Sequence, residues 1–174
     1  MGLDVDVAFL GDSITRGGEY QSQFPDVKII NLGYGGDTLR GMTERVGMVK
    51  AVHPEKIFVM GGINGFASLG VAGSLLDYKN LLATLRENFP TEEIYVQSIL
   101  PVSREKLGGE NIPQANAGIK NLCGEFNATY IDLFSLYADK DGRLNKDLTT
   151  DGVHLKPAAY SKWYEAIKPY VYSK

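Results

Sequence analysis

Cysteine occurs once in the 174 residues, at Cys123, so no internal disulfide framework holds the chain together. Long apolar runs are missing as well. None approaches the roughly 20 residues that a membrane-crossing helix needs, so no membrane span is expected. Lysine and arginine never gather into a block, and the formal net charge is a mild −3, so nothing marks a nucleic acid or other polyanion as a partner. Histidine is scarce, with only His53 and His154 to supply an imidazole. Repeats, linkers and low-complexity stretches are absent. What remains is an ordinary globular composition, 44% apolar and 22% charged, in a length suited to one domain over residues 1–174. The first apolar run starts near Asp4 and leaves no room for a signal peptide. That start predicts a cytoplasmic chain as it stands, or a secreted one if a leader or neighbouring domain has been trimmed away.

Short apolar runs alternate with amphipathic stretches. Strands are expected at 4–10, 27–32, 56–60, 94–99 and 129–133. They are apolar nearly throughout, as strands covered on both faces are. Between them Leu39, Met42, Val46 and Val49 step by helical intervals, as do Leu75, Tyr78, Leu82 and Leu85, and then Ile112, Ala115, Ile119, Leu122 and Phe126. A last helix is expected near Pro157, carrying Ala159, Trp163 and Ile167. This alternation predicts a parallel sheet with helices on both faces. Polar, glycine-rich segments follow the strands: GDSITRGG, GYGGDT, GGINGF and the stretch ending in DGVHL. In a parallel sheet they share the carboxyl edge, where open sheets bind ligands.

The first of these segments raises the chemical question, because Gly11-Asp12-Ser13 leaves a buried strand at once. A serine hydroxyl needs a base, usually a histidine oriented by a carboxylate. His53 precedes Pro54 at the other end of the sheet and reads as structural or solvated. His154 lies three residues after Asp151, just before the last helix, so Asp151 can hold one ring nitrogen and leave the other for Ser13. Ester chemistry also needs donors for an oxyanion. Ser13 opens a helix and offers its N–H, Gly36 can bring its N–H close, and Asn64 offers a side-chain amide. These donors converge if the first three strands lie in the order 2-1-3. Taken singly, Gly-Asp-Ser is a turn and helix cap, Asp-Gly a β-turn, and Gly35-Gly36 a loop; the conjunction carries the reading.

The four segments resemble the blocks of the SGNH hydrolases, also called the GDSL-like lipase/acylhydrolase family: Gly11-Asp12-Ser13, Asn31 to Asp37, Gly62-Ile63-Asn64, and Asp151-Gly152-Val153-His154. The resemblance runs across almost the whole chain. It implies a flavodoxin-like three-layer α/β/α fold with a five-stranded parallel sheet, no metal, no cofactor, and ester hydrolysis by a serine mechanism. Ser13 would be the nucleophile, Asp151 and His154 its partners, and Ser13, Gly36 and Asn64 the oxyanion donors. Two departures stand out. Ile14 follows the serine where leucine gives the family its name, and Gly65 stands where an acid usually follows the asparagine.

No long insertion is present to build a lid or an acyl trough. A shallow site suits a short acyl group on a polar alcohol, so an acetylated carbohydrate or similar small-molecule ester is the expected substrate. Asp12 and Phe66 are the candidate pocket-lining residues, Phe66 having a core role as its alternative. Against this stand a lysophospholipase or thioesterase, a catalytically idle binding module on the same fold (favoured only by Gly65), and a mononucleotide binder using GYGG, which lacks the lysine of a phosphate loop. The oligomeric state is left open.

Overall fold

The five apolar runs pair into one parallel sheet. The structure is a computed structural model that describes residues 3–174. Its strands are β1 (Val7–Gly11), β2 (Ile29–Gly33), β3 (Lys56–Met60), β4 (Glu93–Gln97) and β5 (Thr129–Ile131), in the order β2-β1-β3-β4-β5. The order of the first three is the one that lets the polar segments meet. Register reinforces it: Gly11 lies level with Gly33 on one side and with Met60 on the other. The three loops that follow therefore leave the sheet at one height.

The helices are α1 (Ser13–Arg16), α2 (Tyr20–Gln23), α3 (Leu39–Glu44), α4 (Val46–Lys50), α5 (Phe66–Asn88), α6 (Ile112–Glu125), α7 (Phe134–Tyr137) and α8 (Tyr160–Val171). A 3₁₀ turn at Pro157–Ala159 leads into α8. None of the helices among the described residues is long and apolar enough to cross a membrane. The stripe from Leu39 to Val49 is buried throughout but is not one helix. It breaks at Arg45, whose backbone (φ −92°, ψ 4°) leaves the helical region while its side chain reaches back to the sheet. The stripe at Leu75–Leu85 belongs to a longer helix that begins at Phe66 and is kinked at Gly70.

One face of the sheet is aromatic. Phe9, Phe58 and Tyr95 are cross-strand neighbours in register, and their rings stack at 5.0 and 4.7 Å. Tyr20 stacks on Phe9 at 3.8 Å, and Trp163 of α8 meets the Tyr20 ring edge-on. Such pairs contribute about 0.5–1.5 kcal/mol each beyond the area they bury. Trp163 is fully buried and satisfies its indole N–H on Gln97 Oε1 at 2.6 Å. On the other side α5 packs between α3 and α6, and its Tyr78 hydroxyl bonds Gly61 just past β3.

Lys56 is a buried cation whose charge is spent on the end of α8. Its Nζ donates to Tyr170 O (2.9 Å), Val171 O (3.3 Å), Ser173 O and Ser173 Oγ. The Tyr170 and Val171 carbonyls belong to the last turn of α8, where a positive charge is also favoured by the helix dipole. Lys56→Met keeps the stem and removes the donors. It should destabilise the fold by about 1–3 kcal/mol, read as a lowered Tm in thermal unfolding. An unchanged Tm would show that water caps this end equally well.

Candidate active site

The strand-to-helix turn after β1 is built by Asp12. Its Oδ1 accepts from Ile14 N at 2.9 Å, capping α1 and setting Ser13 at the first helical position. The N–H of that position has no partner within the helix, so the Ser13 N–H is left available to another acceptor. With one turn only, α1 supplies little dipole behind it. Asp12 itself is fully buried, so it lies under the site and does not line a substrate pocket, contrary to expectation. Burial pushes its carboxyl up to about 6, against the opposing effects of the Ile14 hydrogen bond and the His154 imidazole.

Ser13 Oγ lies 2.9 Å from His154 Nε2, and His154 Nδ1 lies 2.6 Å from Asp151 Oδ2. The second carboxylate oxygen of Asp151 accepts from the N–H groups of His154 (2.8 Å) and Val153 (2.9 Å). Thr149 Oγ1 accepts from Gly152 N (3.0 Å) and donates to His154 O (2.7 Å), closing the turn that carries both residues. Partial desolvation opposes ionisation of Asp151. The hydrogen bonds from the His154 ring and from the two backbone N–H groups outweigh it and hold the carboxyl well below the usual carboxylate range. The imidazole is thus gripped through Nδ1, with Nε2 facing the serine.

The oxyanion candidates stand at the same edge. Gly36 is the third residue of the Tyr34–Asp37 turn, closed by Asp37 N–H donating to Tyr34 O at 3.2 Å. Its φ of 74° suits glycine, and such a turn makes no use of its N–H. Asn64 Nδ2 donates one hydrogen to Asp37 O at 2.9 Å, which leaves the other free. Gly65 sits at φ 88° as the residue before α5, a conformation that L side chains rarely adopt. Backbone conformation accounts for the departure at that position. Phe66, the first residue of α5, is 1% exposed and packed in the core, so it meets the core alternative and offers no open face to a substrate. His53 lies at the far end of the sheet from these loops and bonds Asp4 Oδ1 at 2.8 Å.

Two arginines that the motifs do not contain tie these pieces together. Arg45 donates to Leu32 O (3.0 Å) and Gly11 O (3.1 Å), at the ends of β2 and β1, and pairs with Asp37 Oδ2 at 2.7 Å. Its guanidinium also lies 5.8 Å from the Tyr34 ring centroid. One planar donor fork thereby joins the strand before Ser13, the turn of Gly36 and the residue whose carbonyl orients Asn64. Arg104 donates to Asp151 O at 3.2 and 3.3 Å and stands 3.6 Å from Asp151 Oδ2.

Comparison with known families puts the chain in the class of carboxylic ester hydrolases. Within that class, the chain is a member of the GDSL-like lipase/acylhydrolase family, whose family model matches residues 9–162. Among solved structures it resembles a chain from Streptococcus pneumonia provisionally called a platelet activating factor (27% identity, 97% and 85% of the two chains covered, TM-score 0.83). It also resembles a GDSL-like lipase from Bacteroides thetaiotaomicron (21% identity, 95% and 87% covered, TM-score 0.80) and an acetyl xylan esterase from Geobacillus stearothermophilus (19% identity, 99% and 96% covered, TM-score 0.77). No curated protein matches the chain.

Proposed function

We propose that this protein is a serine esterase that removes short acyl groups, acetyl above all, from a polar alcohol such as a carbohydrate. The observation that carries the reading is the unbroken line Ser13 Oγ, His154 Nε2, His154 Nδ1, Asp151 Oδ2, with steps of 2.9 and 2.6 Å across the ring. Ser13 attacks the ester carbonyl while His154 takes its proton. The N–H groups of Ser13 and Gly36 and the free amide hydrogen of Asn64 receive the oxyanion. His154 returns the proton to the leaving alcohol oxygen, which departs and leaves an acyl-Ser13. Water, activated by the same imidazole, then releases the acid.

The short-acyl preference rests on what surrounds the serine. A long acyl chain gains about 0.8 kcal/mol for each CH₂ it buries, but only against an apolar trough. The loops after β1, β2 and β3 are short, and the bulky apolar side chains on either side of Asn64, Ile63 and Phe66, are both buried in the core. A chain-length series of aryl esters tests this. Acetyl should exceed octanoyl in kcat/KM, and an octanoyl preference would overturn the assignment in favour of a lipid substrate. Because Phe66 is buried, Phe66→Ala should show as lost stability rather than altered acyl selectivity.

A further inference from the structure

Beside the Asp151–His154 turn lies a cleft of about 220 Å³ between the 102–110 loop and the turn at Asp141–Arg143. We propose that it seats the alcohol half of the ester, and that this alcohol is a neutral, hydroxyl-rich one of the saccharide class. The inference rests on the serine-esterase reading and specifies its substrate.

Direction comes from the chemistry. The oxyanion donors sit on the loops after β1, β2 and β3, whereas His154 sits on the turn before α8. The leaving oxygen must face His154 Nε2, which gives it a proton. The alcohol therefore extends over the turn that carries His154, and that turn is continuous with the wall of the cleft. Ser103 N–H donates to Gly152 O at 2.8 Å, and Arg104 grips Asp151 O at 3.2 and 3.3 Å. Both Ser103 and Arg104 line the cleft.

Class comes from the lining. Arg104, Lys106 and Arg143 face Glu105, Glu110 and Asp141 around it. A cationic headgroup would meet as many cations as acids, and an anionic one as many acids as cations. An alkyl chain would find Val102 as its only large apolar wall. A hydroxyl both donates and accepts, so neighbouring hydroxyls suit donors and acceptors set side by side.

The test compares an acetylated disaccharide with 4-nitrophenyl acetate, which has no sugar to seat. The variants Glu110→Ala and Arg143→Ala remove cleft side chains that play no part in the Ser13 chemistry. Each should lower kcat/KM on the acetylated disaccharide by about ten-fold, the loss of one or two hydrogen bonds, and leave the aryl acetate nearly unchanged. The unacetylated disaccharide should inhibit the wild type competitively and inhibit the double variant more weakly. Equal kcat/KM changes on the two esters, or none on either, overturn the cleft assignment and leave the esterase reading standing. Absence of Ser13-dependent hydrolysis of both esters overturns the esterase reading, and the cleft assignment with it.

Discussion

Ser13→Ala is expected to lower kcat on an aryl acetate by about 10⁴–10⁶, and His154→Ala by a comparable factor. Ser13 Oγ lies 2.9 Å from His154 Nε2, and in the proposed mechanism neither side chain works without the other. The double variant should therefore cost little more than either single change, because the group fails as a unit. Steady-state kinetics on purified variants, with thermal unfolding to show that each is folded, decide the matter. Near-normal turnover in folded Ser13→Ala would remove the nucleophile from the mechanism. Independent, multiplying losses would show that His154 acts somewhere other than on Ser13.

Asn64→Ala should lower kcat by about 10²–10³ with a smaller change in KM, because the amide is needed where charge develops in the transition state and less in the bound ester. The amide is aimed by its bond to Asp37 O, at 2.9 Å, and Asp37 is held by Arg45 at 2.7 Å. In the proposed mechanism Arg45 is thus a positioning residue. Arg45→Met should lower kcat by about ten-fold in the wild type and by much less in an Asn64→Ala background. The double-mutant cycle separates positioning from general support of the fold, which would cost the same in both backgrounds. Lysine at position 45 should recover only part of the loss, since a single ammonium cannot reach Asp37 and both strand-end carbonyls in one plane. An unchanged kcat in Asn64→Ala would mean that other donors carry the oxyanion.

Much of this was legible along the chain. Five strands, the burial of the helical stripes and the four polar segments follow from apolar periodicity and from glycine, aspartate and serine at strand exits. These are local properties, carried by residues within a turn or two of one another. Reading Asp12 and Phe66 as pocket residues failed for the same reason. Adjacency in sequence to Ser13 and Asn64 says nothing about which way a side chain points, and both turn inward. Asp12 is used up as a helix cap, and Phe66 begins a helix whose apolar face seeks the sheet.

By itself, then, the sequence determined the parallel α/β class, the serine at the exit of the first strand, the Asp-x-x-His before the last helix, and glycines where the backbone must turn left-handed. Tertiary structure alone decided the strand order β2-β1-β3 and the level register of Gly11, Gly33 and Met60, which bring three loops to one point. It also decided the roles of Arg45 and Arg104, which carry no motif. Arg45 meets Gly11 O across 34 positions, and Ser13 meets His154 across 141. Contacts at such separations depend on how whole elements pack, since closing long loops costs chain entropy that only the burial of the shared core repays.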